Sequence, residues 1–456
     1  MDSADTPLVR VVVLSFDGGQ MTLDCLDSLL ASDWPSNRME IVMVDNGSLD
    51  DVAARVRADY PTVRLLEPLE NLGFAAGCNL GMRLPGEHQF VALVNNDATV
   101  EPGWLRPLVV DAQSAPDVGA VSAKMLFADR FLSIEVAAPT AAQINRNDPR
   151  DLGMRVSGVR LDGVRADARV SFDEGFYGPE LPNSDFDEEI ARWCGTRGSI
   201  RIAIEPGKPL PRVVSLRVSS PDRRSVTLTT DADEITVDVA KDRIWYDIQL
   251  GDEPFDVINN VGSNLYPRGF GGDRGFLERD LGQYEEPAEV FAWCGGAVLL
   301  RRDYLDDVGL FDERLFLYYE DTDLSWRGRL RGWRYLYEPT SVVRHRHAAS
   351  SGVGSPVFRF YTERNRLLVV AKNAPTRLAV RAGLGEIRRC VRCQLSAFVL
   401  RPLRLQMPER HESAHRRKVA ASYLREVWPM VCDRRAATRA TLTVDRDSLM
   451  KWEVTK

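Results

Sequence analysis

The sequence predicts an α/β fold with a mostly parallel sheet, interrupted by an inserted β-sandwich-like domain and followed by a C-terminal helical region. Three observations carry this expectation. Apolar β-branched runs alternate with helical stretches over the first 130 residues, period-two runs replace that rhythm between Phe131 and Asp256, and helical spacing dominates after Ser355. The 456 residues suffice for two to four domains at roughly 150 residues each. A chain with 44% hydrophobic and 27% charged residues is neither collagen-like nor mostly disordered.

Taken in order, Val9–Ser15 and Glu40–Val44 are short apolar runs of the kind buried on both faces of a parallel sheet. Between them, Met21–Ala31 sets Leu23, Leu26, Leu29 and Leu30 at helical spacing. Val63–Leu66 and Phe90–Val94 repeat the strand pattern, preceded by helical stretches Asp50–Tyr60 and Ala75–Leu84. The expected domains are 1–130, an insert at 131–256, a second half of the first domain at 257–374 and a basic helical region at 375–456. Within the insert, Ser199–Ile204, Val213–Val218, Ser225–Thr230, Glu234–Val239 and Arg243–Leu250 read as antiparallel strands. The α/β signature resumes at Val290–Leu300 and continues through Phe311–Gly332, a strand-like Arg334–Tyr337 and Val342–His347. Past Ser355 the chain reads as helical to about Ala440, with breaks at Pro402, Pro408 and Pro429.

The net charge of −7 is uneven: Thr376 to Ala440 holds fifteen Lys and Arg against five Asp and Glu, a balance of +10 that leaves −17 elsewhere. There Arg388, Arg389, Arg392, Arg401 and Arg404 interleave with Leu384, Ile387, Val391, Leu395, Phe398, Val399 and Leu400. A basic amphipathic helix of this kind either lies on an anionic membrane surface or packs with its basic face solvated. No recognition motif accompanies the charge, so nucleic acid is not an expected partner. The longest uncharged apolar run, Val290–Leu300, has eleven residues, short of the roughly 20 a spanning helix needs. The acidic N-terminus lacks a signal peptide's basic region, and seven cysteines without repeating spacing fit reduced thiols. The expected location is cytoplasmic, peripheral at the inner face of the cell membrane if the basic helices bind it. Cys390 and Cys393 form a C-x-x-C with no second pair nearby, which reads as coincidence of helical spacing.

In parallel sheets ligands bind at the carboxyl ends of strands. Strand Phe90–Val94 ends in Asn95-Asn96-Asp97, where a carboxylate suits Mg²⁺ or Mn²⁺ bearing phosphate oxygens and where an Asx turn is equally at home. Strand Glu40–Val44 ends in Asp45-Asn46-Gly47-Ser48, a tight turn or a carboxylate able to accept from the imide N–H of a uracil or thymine. Ser15-Phe16-Asp17-Gly18-Gly19 has the backbone freedom for close approach to a nucleotide. Neither a G-x-G-x-x-G nor a G-x-x-x-x-G-K-[ST] loop is present. Glu320, Asp321 and Asp323 open a helix-like run, as helix-terminal charges do or as a general base for an acceptor hydroxyl would. His345 is one of only five histidines and reads as a metal ligand or as a structural residue.

In order along the chain, VVVLSFDGG, VDNGSLD, NLGFAAGCNLGM, LVNNDATVEPGWL, then FAWCGGAVLLRRDYLDDVGLFDERLFLYYEDTDLSWRGRLRGWRYLYEPTSVVRHRHAAS and YTERNRLL resemble a family 2 glycosyltransferase. More narrowly they resemble its bacterial rhamnosyltransferase-like branch, over about Val9–Phe127 and Asp256–Asn373. The resemblance implies a GT-A nucleotide-diphospho-sugar transferase fold and inverting, metal-dependent transfer from a nucleotide-diphosphate sugar. L-rhamnose from dTDP-rhamnose is the implied donor, and a cell-surface glycan or lipid-linked acceptor the implied target, as in cell wall polysaccharide biosynthesis. Carried over by position, Asp321 is the implied base with Glu320 beside it. Ser15, Asp17, Asp45, Asn46, Asn71, Gly73, Asn79, Asn95, Asn96 and Asp97 would hold the donor. Asp97, Asn95 and His345 would hold Mg²⁺ or Mn²⁺, and Trp293, Gly295, Gly296 and Asp323 would meet the acceptor.

The sequence departs from the family pattern in three places. Asn95 replaces the first acid of a D-x-D, Asp17 stands where Asn is usual, and the stretch from Phe131 to Asp256 has no counterpart. The insert reads as an acceptor-binding module, with Tyr177, Trp193, Trp245 and Tyr246 either stacking on sugars or filling a sandwich core, or as a surface for a homo-oligomer. Two rival functions are a carbohydrate-binding scaffold with an inactive transferase domain and a nucleotidyltransferase, the latter lacking its Gly-rich phosphate loop.

Overall fold

The computed structural model describes residues 6–139, 150, 152–180, 191–346, 355–401, 410–439 and 442–455. The chain divides into two compact units, one formed by Met1–Phe127 with Ile258–Lys456 and the other by Ala128–Val257.

The first unit opens with β1 (Val9–Ser15), α1 (Gly19–Leu30), β2 (Met39–Asp45), α2 (Val52–Asp59), β3 (Arg64–Leu66), α3 (Gly73–Met82), β4 (Phe90–Asn95), β5 (Ala98–Val100), α4 (Leu105–Gln113) and β6 (Val118–Phe127). On β1, Val11 and Val13 enter one apolar cluster with Leu23, Leu26 and Trp104, whereas Val12 enters another with Val42, Val44 and Cys78. Alternate side chains thus bury on opposite faces, which is why the run is apolar throughout. α3 lies close on β1 because Gly77 and Gly81 face Leu14 and Val12, where any Cβ would collide.

The second unit holds β7 (Arg130–Ala137), β8 (Arg155–Leu161), β9 (Val164–Arg165), β10 (Val170–Phe172), β11 (Arg192–Trp193), β12 (Arg197–Ile204), β13 (Val213–Ser219), β14 (Arg224–Thr229), β15 (Glu234–Val239) and β16 (Ile244–Gln249). They form two antiparallel sheets, β10-β12-β7-β14-β15 and β11-β8-β13-β16 with β9 on β8. Ile134, Ile200, Leu216 and Leu228 lie in their common apolar core, so the unit is a sandwich. Of its aromatics, Trp193 is buried with its Nε1 donating to Glu180 (3.0 Å), and the guanidinium of Arg160 covers the Trp245 ring at 4.1 Å.

The first unit resumes with β17 (Ile258–Asn260), β18 (Ser263–Tyr266), β19 (Phe270–Asp273), β20 (Ala288–Glu289), β21 (Ala297–Arg301), α5 (Arg302–Val308), α6 (Glu320–Leu330) and β22 (Arg334–His345). Its main sheet runs β20-β22-β6-β21-β4-β1-β2-β3, with β17 beside β6 and β5 beside β22. β1, β2, β3 and β4 pair in parallel, but β21 is antiparallel to both β4 and β6. The sheet is therefore mixed. The Val290–Leu300 run becomes regular strand only from Ala297 on, where β21 begins. The two strand-like pieces after Gly332 are one strand, β22, whose register on β6 shifts between Glu338 and Val342.

Helices α7 (Pro356–Asn373), α8 (Thr376–Leu395) and α9 (Arg410–Arg439) complete the unit, with a π-helical turn at Ser396–Leu400. Ser355 caps α7 by accepting from the Phe358 N–H (3.1 Å). Pro429 lies inside α9 and does not end it, while Pro402, Pro408, Arg404 and His347 fall outside the described residues. Among the described residues no helix is long and apolar enough to cross a membrane.

Candidate functional site

Register brings the strand ends level: Ser15 lies opposite Asp45, and Leu14 opposite Asn95. At the β4 end, the pairing of β5 with β22 sets His345 opposite Ala98, and the Arg346 N–H donates to the Asp97 carbonyl (2.9 Å). His345 Nε2 consequently sits 3.0 Å from Asp97 Oδ1 and 3.3 Å from Asn95 Nδ2. Its Nδ1 lies 3.0 Å from Asn259 Oδ1 on β17. An amide oxygen only accepts, so Nδ1 donates to Asn259 and Nε2 is the ring nitrogen turned toward Asp97. This is how second-row hydrogen bonds orient a metal-binding imidazole.

Asp97 and His345 thus fit a divalent cation, with Asn95 turned toward them. No group of three or more His, Cys, Asp or Glu among the described residues could hold a metal. A pair fits Mg²⁺ or Mn²⁺ that takes its remaining ligands from phosphate oxygens and water.

At the β2 end, Asp45 is buried and its Oδ1 accepts from the Ser48 N–H (3.3 Å). Asn46 and Asn71 brace one another. Asn46 Nδ2 donates to Asn71 Oδ1 (3.0 Å), and Asn46 Oδ1 accepts from the Leu72 N–H (2.9 Å). Asn71 Oδ1 also accepts from the N–H of Gly73 (2.8 Å), whose φ of +77° favours glycine. Asp17 adopts φ 49° and joins the β1 and β2 loops, its Oδ1 accepting from the Leu49 N–H (2.7 Å). Asp and Asn both tolerate that backbone, and the Asp carboxylate serves the turn.

Three of the donor-site expectations are placed elsewhere. Ser15 Oγ and Asn96 Nδ2 both bond the Thr22 hydroxyl (2.9 and 3.0 Å) inside the core beneath α1. Asn79 is fully buried, donating to the Phe311 carbonyl (2.9 Å) and accepting from the Phe311 N–H (3.1 Å). It staples α3 to the loop before α6.

On the acceptor side, Asp321 stands at the start of α6. Its Oδ2 accepts from the Gly295 N–H (3.3 Å), and its Oδ1 from the Thr322 N–H (2.5 Å) and hydroxyl (3.2 Å). The neighbouring Gly296 carbonyl accepts from the Asn95 N–H (3.0 Å). Burial raises the Asp321 carboxyl, with the Gly295 and Thr322 donors opposing it.

Asp273 on β19, which no local sequence pattern singles out, belongs to this site. It accepts from Asn260 Nδ2 (2.6 Å). Burial pushes its carboxyl up to about 6, Asn260 opposing, Asp321 adding to the rise and His345 opposing it. Its influence from both Asp321 and His345 puts it within electrostatic reach of each.

The remaining acceptor expectations are corrected. Trp293 is wholly buried in the core and offers no surface to an acceptor. Asp323 is wholly buried as well, accepting from Lys372 Nζ (2.9 Å), Arg327 Nε (2.8 Å) and Asn373 Nδ2 (2.8 Å). Its task is to tie α6 to α7. Glu320 turns inward: burial, then Asp321 and Asp323, push its carboxyl well above the usual range. After burial itself, Glu320 is what raises the Cys78 thiol of α3.

Phe316, Tyr318 and Tyr319, just before Asp321, have φ of 64°, 69° and 70°, a left-handed conformation that side chains resist. Asn365 on α7 holds this turn. Its Nδ2 donates to the carbonyls of Leu315 (2.8 Å), Leu317 (2.8 Å) and Tyr318 (2.7 Å), and Arg364 Nη2 donates to that of Leu315 (2.9 Å).

Residues 10–153 match the glycosyl transferase family 2 model, so this stretch of the chain is similar to that family. N-acetylglucosaminyl-diphospho-decaprenol L-rhamnosyltransferase from Mycobacterium tuberculosis is 45% identical over 69 residues, 15% of this chain and 22% of that protein. An uncharacterized protein, y4gI, of Sinorhizobium fredii is 30% identical over 129 residues, 27% of this chain and 14% of the relative. The chain thus spans less than a quarter of the length of these relatives. Among solved structures, GalNAc-T7 with UDP, GalNAc and Mn²⁺ superposes with a TM-score of 0.44 at 14% identity, covering 84% of this chain and 51% of the other. A mannosyltransferase of Pyrobaculum calidifontis with GDP-Man and Mn²⁺ gives 0.39 at 14% identity, covering 93% and 88%. Likenesses this loose carry no inference about ligands.

Proposed function

We propose that the chain is an inverting, metal-dependent glycosyltransferase that moves L-rhamnose from dTDP-rhamnose onto a lipid-linked or cell-surface glycan acceptor. The observation that carries this reading is a single link between two sites. Gly296 bonds the Asn95 backbone beside Asp97 and His345, while Gly295 bonds the Asp321 carboxylate. Candidate cation ligands and candidate base are thereby fixed across one two-residue step.

Asp97 and His345, with Asn95, would hold Mg²⁺ or Mn²⁺. Such an ion neutralises the charge a departing diphosphate gains. Asp321 takes the proton of the acceptor hydroxyl as that oxygen bonds the anomeric carbon and the carbon–oxygen bond to the diphosphate breaks. A carboxyl raised by burial is a stronger base than a solvated one. Asp45 would accept from the imide N–H of the thymine. The rhamnose and lipid assignments take their support from the activity for which the mycobacterial relative is named.

The test is nucleotide release from dTDP-rhamnose, UDP-sugars and GDP-sugars with and without Mn²⁺ or Mg²⁺. Release from dTDP-rhamnose that needs the ion is the expected result. No release from any donor would favour the inactive scaffold, and release from another donor would replace the sugar assignment alone.

A further inference from the structure

α8 wears its apolar side outward. Val380, Leu384, Val391, Leu395 and, in the π-helical turn, Phe398 are 54, 56, 53, 53 and 54% exposed. Steps of four, seven, four and three residues put them on one helical stripe. The opposite face is the packed one. Gly383 abuts the Tyr423 hydroxyl of α9, and buried Glu386 lies 3.6 Å from Arg416 Nη1. A helix that turns an apolar stripe to solvent departs from the pattern water selects.

Along one flank of the stripe stand Arg377, Arg381, Arg388 and Arg392, all exposed. None makes an ion pair among the described residues. Beside them a cleft of about 1060 Å³ opens between α8 and the turn at Pro267–Phe270, with Arg268 and Arg366 on its far wall.

We propose that this face of α8 docks on an anionic lipid bilayer, the stripe entering the acyl boundary and the arginines meeting lipid phosphates. The chemistry selects that occupant. An apolar stripe flanked by unpaired cations matches the boundary between hydrocarbon and anionic headgroups. In a two-fold dimer the same patch would meet itself, setting one copy's arginines against the other's. The helix is not apolar enough to cross the bilayer, so it lies on the surface. This inference does not depend on the proposed reaction.

The full chain is sedimented with vesicles of phosphatidylcholine alone and of phosphatidylcholine with phosphatidylglycerol. Binding is expected only with phosphatidylglycerol and is expected to weaken with salt. The double variant Arg381→Gln, Arg388→Gln is expected to bind about thirtyfold more weakly, the equivalent of about 1 kcal/mol for each basic side chain at an anionic surface. Leu384→Ser with Leu395→Ser is expected to weaken binding without lowering the unfolding temperature. No binding, equal binding to both vesicles, or unchanged binding by folded variants overturns the proposal. So does a native mass that falls from dimer to monomer in the Leu384→Ser, Leu395→Ser protein, which would make the face a self-interface.

Discussion

Asp321 and Asp273 are two half-buried carboxyls within electrostatic reach of one another, and their environments give them different duties. Asp321 receives three donors from Gly295 and Thr322, which fix its direction while burial keeps it basic. Asp321→Asn keeps the shape and removes the lone pair that takes a proton, so kcat for transfer is expected to fall about a thousandfold with donor affinity unchanged. The raised carboxyl also sets the acid limb of the kcat profile: activity is expected to fall on acidification from above the ordinary aspartate range, and a limb at the ordinary value would remove Asp321 from the role of base. For Asp273 the folded carboxyl is raised to about 6 from 3.8. The folded state then binds more protons than the unfolded one between those values, so this residue's contribution to stability is present below 3.8 and is lost as pH rises through about 6. Asp273→Asn is expected to flatten the dependence of unfolding temperature on pH across that window, and a slope equal to wild type would contradict the burial argument.

Among the elements, the turn before α6 shows what the chain invests in placing its candidate base. Three residues held left-handed stay there because one amide, Asn365 Nδ2, bonds three of the turn's carbonyls. Asn365→Ala leaves the Leu317 and Tyr318 carbonyls unmet at about 1 kcal/mol each, the Leu315 carbonyl keeping its bond from Arg364, so the unfolding temperature is expected to drop by several degrees and kcat to fall while donor affinity holds. Restoration by Asn365→Gln is not expected, since the longer arm cannot reach all three. The strands β1, β2 and β4 were legible because burial on two faces demands continuous apolar runs. The loops at their ends were legible because strand ends are where such sheets bind ligands. Direction along a helix was the harder matter. Asp321 and Asp323 are two residues apart, hence about 200° apart around α6, and only one of them can face the site. Asn79 and Gly73, at opposite ends of the same motif, diverge for the same reason. Asp273 follows the insert in sequence and reaches Asp321 and His345 only through the tertiary fold, so no local pattern reveals it.

At the scale of the molecule, the chain leaves the first unit and re-enters it at two paired strand ends. β6 ends at Phe127, β17 begins at Ile258, and Ile258 pairs with Leu126 in an antiparallel register. Replacing residues 128–257 by a short Asn-Gly turn is therefore expected to leave a folded first unit with its ion-dependent donor hydrolysis intact. An unfolded product, detected by loss of a cooperative melt, would show that the sheet cannot close without the insert. This return also bears on the order of folding. Bringing β6 and β17 together across 130 flexible residues carries a chain-entropy penalty of about 4 kcal/mol. Phe131 and Phe255 exchange two backbone hydrogen bonds, each 2.9 Å, within the sandwich itself. Once the sandwich has folded, its own termini are already held side by side and most of that penalty has been met. The larger sheet then assembles as though its two halves were joined by a hairpin, so a core mutation such as Leu216→Ala in the sandwich is expected to delay refolding of a sheet to which it contributes no strand.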